Sequence, residues 1–297
     1  MLADGTITKV SNKEKPDLFM ALKGGMNNFG IVTKFVLTAF PQGKVYGGLS
    51  VHPMTRKMDV AENFVNMISA HNSAEGGFIS YTWTPSQPAT VAYITANIDG
   101  DENSPSFEDI PSFDPFLDTR AKQSLAGLPK VIASTPGSYN IWYTLTFDNS
   151  MDMAKKIVDT FEAVVADLQD TLDEEVMIIF LMTTLGTTYA RPGNMLGLDS
   201  SLKKDSIVFQ GEALLPRKNH WELVDAKLRA ATTKVEEYAE STGQAHPWKY
   251  INYANPSDDP FAGYGAENLD YLRRVAKKYD PEGFFQTNVP GGFKLFN

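Results

Sequence analysis

The 297-residue chain contains no cysteine. This absence excludes disulfides, thiolate nucleophiles, cysteine-ligated metals and cofactors attached through a cysteine sulfur. Histidine is scarce as well, and the few present follow no metal-ligand spacing. They are His52, His71, His220 and His246. We therefore predict that the protein holds no metal.

Positive charge is also in short supply: 27 Lys and Arg residues stand against 36 Asp and Glu residues, a formal net charge of −9. Nucleic acids and anionic membranes attract cationic proteins, so neither is expected as a partner. The longest apolar run, roughly residues 176–182, is far shorter than the ~20 residues of a membrane-spanning helix. The first residues also lack the pattern of a signal peptide. These absences predict a cytoplasmic protein.

What is present is the patterning of a globular α+β protein. Several stretches alternate apolar and polar residues, as strands with two different faces do. They are residues 77–84, 89–97 and 139–147. Residues 151–168 have apolar side chains at helical spacing, and the β-branched and aromatic run at 30–40 predicts a further strand. We predict an antiparallel sheet with helices on one face over residues 44–245.

A carboxylate lies within the apolar strand-like run at residues 206–215. Glu212 and Gln210 are two residues apart and so share one face of the predicted strand. A carboxylate buried in such a strand is costly unless it is paired or functional. Two interpretations stay open: an ion pair with a neighbouring helix, or a catalytic acid or base.

Two short motifs carry further polar groups that suit a ligand. The run Lys23–Gly30 is either a phosphate-cradling turn or a tight connection between a helix and a strand. Tyr250 and Asn252 share one side of a segment predicted to be extended. There they either line a binding site or form hydrogen bonds within a buried contact between elements.

Both ends of the sequence match motifs of one family. Near the start is Pro16-Asp-Leu-Phe-x-Ala-Leu-Lys-Gly-Gly-x-Asn-Asn-Phe-Gly-Ile-Val-Thr33, followed by Thr38-x-Phe-Pro-Gln-Gly43. Near the end are Tyr250-x-Asn-Tyr253, Tyr264-Gly-x-Glu-Asn268 and Lys278-Tyr-Asp-Pro-Glu-Gly-x-Phe285. This combination resembles the berberine-bridge-enzyme-like, FAD-linked oxidoreductases with a PCMH-type flavin domain, above all their fungal members.

The resemblance implies a remnant of the flavin-domain lobe at residues 1–43 and 246–297, and a substrate-binding domain at residues 44–245. The positions that it places near the flavin are Gly24, Gly25, Asn27 and Asn28, with Tyr250 and Asn252 beside the flavin ring. The family's pyrophosphate loop and its flavin-linked histidine have no counterpart in these residues. We therefore expect a truncated member without a cofactor, with FAD binding as the alternative.

The retained substrate domain predicts a cofactor-free enzyme that cyclises (pericyclic cyclisation included), isomerises or dehydrates a small hydrophobic secondary metabolite. The alternatives are a FAD-dependent oxidoreductase whose missing lobe is supplied elsewhere, and a non-catalytic ligand-binding protein. The expected catalytic residues are Tyr250, Asn252 and Glu212. The expected pocket residues, on the sheet face away from the helices, are Tyr81, Trp83, Tyr143, Tyr189 and Gln210. Because loss of a lobe would expose apolar surface along Phe29–Phe40, a homodimer is expected.

Overall fold

The chain forms two structural units, each with its own internal packing. The computed structural model describes residues 1–132, 137–172 and 175–296. The first unit consists of Met1–Phe40, Thr188–Lys203 and Pro247–Asn297. The second consists of Pro41–Thr187 and Lys204–His246. Thr188–Lys203 thus groups with the two terminal segments, whereas the boundaries predicted from the sequence leave it in the substrate-binding domain.

The described part of the second unit is built around a nine-stranded sheet. In chain order the strands are β1 (Val45–Pro53), β2 (Glu75–Thr84), β3 (Gln87–Asn97), β4 (Leu117–Asp118), β5 (Ala121–Gln123), β6 (Tyr139–Asp148), β7 (Met177–Leu185), β8 (Ser206–Leu215) and β9 (Ala245–His246). Their order across the sheet is β4-β1-β3-β2-β7-β8-β6-β9, and β5 also pairs with β1. Neighbouring strands run antiparallel, as the alternating patterns predicted.

Helices of very different length accompany the strands. The α-helices are α1 (Pro16–Ala21), α2 (Lys57–Ser69), α3 (Pro105–Glu108), α4 (Met151–Leu168), α5 (Leu198–Ser201), α6 (Trp221–Ser241), α7 (Ala266–Tyr279) and α8 (Phe284–Thr287). Short 3-10 helices lie at Met54–Arg56, Ile110–Phe113, Leu128–Ile132, Thr187–Tyr189 and Pro260–Tyr264. Within the described residues, no helix has both the length and the apolar character needed to cross a membrane.

Helices α2, α4 and α6 cover one face of the sheet and bury the main hydrophobic core. At its centre the ring of Phe180 on β7 lies 5.6 Å from the ring of Phe161 on α4 and 5.3 Å from that of Phe209 on β8. All three rings are fully buried and meet edge to face, the geometry that aromatic pairs favour. The predicted α+β architecture, an antiparallel sheet with helices on one face, is confirmed.

The strand register assigns each residue to one of two faces of the sheet. Tyr81, Phe180 and Gly211 stand opposite one another on β2, β7 and β8, on the side of the helices. The neighbouring positions point the other way, and we call that side the far face. One row of the far face consists of Ser80, Leu181, Gln210 and Thr144. The adjacent row consists of Thr82, Ile179, Glu212 and Trp142.

Polar contacts join the two ends of the chain within the first unit. Asp17 in α1 accepts hydrogen bonds from the Lys278 ammonium at 2.6 Å and the Tyr279 hydroxyl at 2.9 Å, both in α7. The buried carboxylate of Asp280 accepts two backbone N–H groups at the start of α8, at 2.8 and 2.7 Å. The terminal motifs of the sequence therefore contain residues that hold this unit together.

The prediction of a strand at residues 30–40 is wrong. This segment contains no strand or helix, and Phe35, Val36, Leu37 and Phe40 are 71 to 89% exposed. A β-strand needs a hydrogen-bonded neighbour, and no described strand lies beside this segment. Its composition favours a strand, but the described residues provide nothing for it to pair with.

Candidate active site

The two polar side chains of β8 project from the far face. Gln210 and Glu212 are two residues apart, so both point away from α2, α4 and α6. In the pairing register, Glu212 stands opposite Ile179 on β7 and Trp142 on β6. The carboxyl group therefore emerges between an aliphatic and an aromatic neighbour.

Neither polar side chain has a partner among the described residues. Gln210 is 3% exposed and Glu212 is 8% exposed, yet no described residue forms a hydrogen bond or ion pair with either side chain. The ion pair between Glu212 and a helix, one of the two sequence interpretations, is thus not formed within the described residues. A ligand on the far face can therefore form hydrogen bonds with both groups without displacing a partner within the described residues.

Burial changes the acid–base behaviour of Glu212. Removing a carboxylate from water disfavours its charged form, and burial raises the pKa of Glu212 from 4.5 to about 7. No cation or hydrogen-bond donor among the described residues opposes the shift. At neutral pH the carboxyl group therefore exchanges a proton readily, which is the property of a general acid or base.

Hydroxyl groups of β6 extend the polar part of the far face. Thr144 donates a hydrogen bond to the Phe209 carbonyl at 2.8 Å, so its hydrogen is already used. The Thr146 hydroxyl is buried and has no hydrogen-bond partner among the described residues. The sequence analysis did not single out Thr146, although its place two residues after Thr144 puts it on the same face.

The aromatic pocket walls predicted for the far face point the other way. Tyr81, Trp83 and Tyr143 belong to the core beneath the helices. The Tyr81 hydroxyl donates to the Lys57 carbonyl of α2 at 3.0 Å, and the Tyr143 hydroxyl donates to Asp225 of α6 at 2.7 Å. Alternation along a strand separates two faces but does not say which one the helices cover, so the assignment of these rings was wrong. The fourth residue, Tyr189, lies in the first unit and is 64% exposed.

Tyr250 and Asn252 meet in a turn rather than along an extended segment. The Tyr253 backbone N–H donates to the Tyr250 carbonyl at 2.9 Å and closes the turn. The exposed Asn252 amide donates to the Tyr250 hydroxyl at 2.8 Å. The Tyr250 ring also stacks on Trp248, with 5.6 Å between the ring centroids and 22° between the planes. The two polar groups are adjacent as predicted, but the backbone brings them together differently.

The glycine- and asparagine-rich loop after α1 is packed against the first unit's own C-terminal segment. The buried Asn28 amide donates to the carbonyls of Gly25 at 2.9 Å and Phe293 at 3.0 Å, and its oxygen accepts from Gln286 at 3.1 Å. The Asn27 amide donates to the Gly291 carbonyl at 3.2 Å. These contacts hold the loop against the C-terminal segment, and they use both amide N–H groups of Asn28 and one of Asn27.

Gly25 leaves no room for a side chain. A Cβ atom there would lie 2.2 Å from the Phe29 ring and 2.5 Å from the Ala21 carbonyl oxygen. We expect Gly25→Ala to lower the free energy of unfolding by on the order of 3 kcal/mol, because the carbonyl belongs to the backbone and cannot move aside. Urea unfolding measures the effect. Gly43→Ala, where the new methyl group meets nothing within 4 Å, is the control, and equal stability of both variants would contradict the described packing.

No metal-binding group is apparent in the described residues, where three or more His, Asp or Glu side chains nowhere form a cluster suited to an ion. The far face and the Tyr250–Asn252 turn each present polar groups to a small molecule.

Sequence comparison relates almost the whole chain to fungal flavin enzymes. It is 30% identical over 308 residues to the FAD-dependent monooxygenase drtC of Aspergillus calidoustus, a match covering 99% of this chain and 58% of that protein. It is 32% identical over 310 residues to the FAD-dependent monooxygenase sdcF of Emericella nidulans, covering 99% and 64%. The chain therefore spans about three fifths of the length of these relatives. No family model matches the chain.

Solved structures show the same fold. The berberine-bridge-enzyme-like protein 1 of Physcomitrella patens has a TM-score of 0.71 at 15% identity, covering 100% of this chain and 64% of that one. Glucooligosaccharide oxidase of Acremonium strictum, described with a 6-S-cysteinyl, 8α-N1-histidyl FAD, has a TM-score of 0.67 at 16% identity, covering 95% and 63%.

These comparisons overturn the expectation of a cofactor-free protein. The similar sequences carry the name FAD-dependent monooxygenase, and the similar folds include a FAD-bearing oxidase, so the findings point to FAD. The expectation rested on family positions that have no counterpart in these residues, and their absence does not say what the residues present can bind. A cysteinyl link to the flavin nevertheless has no donor in these residues, because the chain contains no cysteine. Over nearly its whole length the chain is similar to fungal FAD-dependent monooxygenases, and its fold is that of a berberine-bridge-enzyme-like protein, so the resemblance predicted from the terminal motifs is confirmed.

Proposed function

We propose that this chain supplies the substrate-binding sheet of an FAD-linked oxidoreductase that oxidises a small hydrophobic alcohol. The observation that carries the proposal is the unpaired, nearly buried carboxyl of Glu212, whose pKa of about 7 suits a proton acceptor at neutral pH. The relatives' names, FAD-dependent monooxygenases, support a flavin-linked oxidation. Cofactor-free cyclisation is not proposed.

The Tyr250–Asn252 turn fits the edge of a flavin ring. The Asn252 amide donates to the Tyr250 hydroxyl, which leaves the phenolic hydrogen available for an acceptor on a ligand. Carbonyl and ring-nitrogen acceptors border a flavin ring, so this donor suits them. Gly24 and Gly25 pack against other residues of this chain, since an added Cβ atom would lie 3.3 Å from the Leu196 side chain at Gly24 and 2.2 Å from the Phe29 ring at Gly25.

Glu212 would act as the proton acceptor of the oxidation. Oxidising an alcohol to a carbonyl breaks one C–H and one O–H bond and forms the second C–O bond. FAD, when held by the protein, would supply the two-electron oxidant that breaking the C–H bond requires. The Glu212 carboxylate receives the hydroxyl proton, and the aliphatic neighbours Ile179 and Leu181 shield that transfer from water.

Anaerobic mixing of the flavin-loaded protein with a panel of hydrophobic alcohols tests the proposal. We expect an alcohol-dependent loss of the oxidised-flavin absorbance with formation of the matching carbonyl compound in equal amount. Turnover of a substrate without any change in flavin absorbance would contradict the proposal.

We further propose that a second copy of this chain covers the exposed apolar segment at residues 31–40. Four large side chains there are more than two-thirds exposed, and soluble monomers seldom display contiguous apolar surface of this kind. The same β-prone segment from two copies can pair antiparallel about a two-fold axis, which gives each the neighbour it lacks.

Sedimentation velocity at micromolar concentration tests this association. We expect a dimer for the unmodified chain and a shift toward monomer for the double variant Phe35→Lys, Leu37→Lys, which places two charges on one side of the segment. Ala163→Lys with Ala166→Lys, at exposed positions of α4, adds the same charge elsewhere and serves as the control. A monomeric unmodified chain would contradict the proposal.

A further inference from the structure

We infer that the far face selects a substrate carrying a carbonyl in addition to the hydroxyl that is oxidised, with Gln210 as the residue that binds the carbonyl. The inference rests on the proposed function for the role of the hydroxyl. The class of ligand is a hydroxy-carbonyl compound whose body is an apolar ring or short chain.

The spacing of the two polar groups sets the first requirement. Gln210 and Glu212 are alternate residues of β8 on one face, so their side chains emerge about 7 Å apart. That separation is comparable to the distance between the two oxygens of a ring that carries a hydroxyl and, opposite to it, an aldehyde. A ligand with its two polar groups adjacent could reach only one of the two side chains.

The chemistry of the two side chains sets the second requirement. The Gln210 amide offers two N–H donors and is 3% exposed without a partner among the described residues. A carbonyl oxygen accepts such a donor and brings no hydrogen that needs a partner of its own. The neighbouring hydroxyl on β6, that of Thr144, already donates to the Phe209 carbonyl and cannot serve the same acceptor. Gln210 is therefore the donor for the carbonyl.

The neighbours on β7 set the third requirement. Leu181 stands opposite Gln210 and Ile179 stands opposite Glu212, and both carry aliphatic side chains on the far face. A ligand that joins the two polar groups would lie along these side chains. Its body between the hydroxyl and the carbonyl therefore has to be apolar, because a polar body there would be left without partners.

Binding of three small probes to the full chain tests the inference. The first probe is 4-hydroxybenzaldehyde, 4-methylphenol lacks its carbonyl, and 4-methylbenzaldehyde lacks its hydroxyl. In titrations followed by calorimetry or ligand-observed NMR, we expect 4-hydroxybenzaldehyde to bind about tenfold more tightly than either single-group probe, the factor that one additional hydrogen bond supplies. Equal affinities, or no binding of any probe, would overturn the inference.

Variants separate recognition by Gln210 from a structural role. We expect Gln210→Leu to weaken 4-hydroxybenzaldehyde about tenfold and to leave 4-methylphenol unchanged. Gln87→Leu, the same change at an exposed position of β3, is the control. A loss of affinity for all three probes in Gln210→Leu would indicate a structural role and would contradict the inference.

The two proposals fail in different experiments. Probe binding needs neither flavin nor turnover. The expected binding pattern together with unreduced flavin would therefore contradict only the proposed alcohol oxidation. Flavin reduction by alcohols that lack a carbonyl, at rates equal to those of hydroxy-carbonyl compounds, would remove only the role of Gln210.

Discussion

Glu212→Gln is expected to lower the rate of alcohol oxidation by the flavin-loaded protein by about 10²- to 10⁴-fold, the contribution typical of a positioned general base. Glutamine keeps the size and the polarity of the side chain but cannot accept the proton. The rate of flavin reduction in an anaerobic stopped-flow experiment measures the effect. Glu240→Gln, at an exposed position of α6, makes the same change away from the far face and should be silent.

The pH dependence should follow the same carboxyl group. The base has to be ionised, so the rate of flavin reduction should rise with pH and level off above about pH 7, where Glu212 loses its proton. The rise should be absent from Glu212→Gln. A rate that levels off near pH 4.5, or a Glu212→Gln variant with full activity, would exclude Glu212 as the base.

The free energy of unfolding should fall with rising pH, whereas the rate of flavin reduction should rise. The pKa of Glu212 is raised on folding from 4.5 to about 7, so the folded state holds the proton more tightly than the unfolded state does. The free energy of unfolding therefore falls as pH rises through that window, by up to about 3 kcal/mol from this one group. Glu212→Gln should remove that loss and be more stable than the unmodified chain above pH 7. Urea unfolding at pH 5 and pH 8 tests the sign.

Phe180→Ala is expected to lower the free energy of unfolding by about 3–5 kcal/mol, the range for a large buried aromatic side chain. The Phe180 ring is fully buried and contacts the rings of Phe161 and Phe209, so its removal leaves a cavity where α4 meets the sheet. Thermal or urea unfolding measures the change.

Phe35→Ala is the matched control for that experiment. It deletes the same atoms from a side chain that is 75% exposed, so the change in stability should be below about 0.5 kcal/mol for the dissociated chain. Equal losses for Phe180→Ala and Phe35→Ala would contradict the described core.

Local patterning was enough to predict the sheet and its helices. Alternation over residues 139–147 and helical spacing over 151–168 correspond to β6 and α4, because each element buries one side against the other. The segment at residues 30–40 has an equally strong strand composition and forms no strand. A strand is made by its neighbour as much as by its own residues, and composition does not report whether a neighbour is present.

The residues of the candidate site were predicted only in part, because local patterning does not report how a residue is placed relative to other elements. A carboxylate and an amide inside an apolar strand stand out in the sequence, so Glu212 and Gln210 were recognisable without a structure. The direction of Tyr81 and Tyr143 was not, since alternation leaves open which face the helices cover. The sequence analysis placed Tyr250 and Asn252 side by side, as the structure does, but it predicted an extended segment where the structure has a turn. A two-residue spacing permits contact in a turn as well as along a strand.

Titration of the Glu212 side chain tests the central claim most directly. In protein labelled with carbon-13 at the glutamate carboxyl, the resonance that is absent from Glu212→Gln identifies the group, and its chemical shift is followed from pH 4 to pH 9. A carboxyl that is buried on the far face without a partner should titrate with a pKa of about 7. A pKa near the ordinary 4.5 would mean that the group is solvated or paired, and would contradict the account of the site.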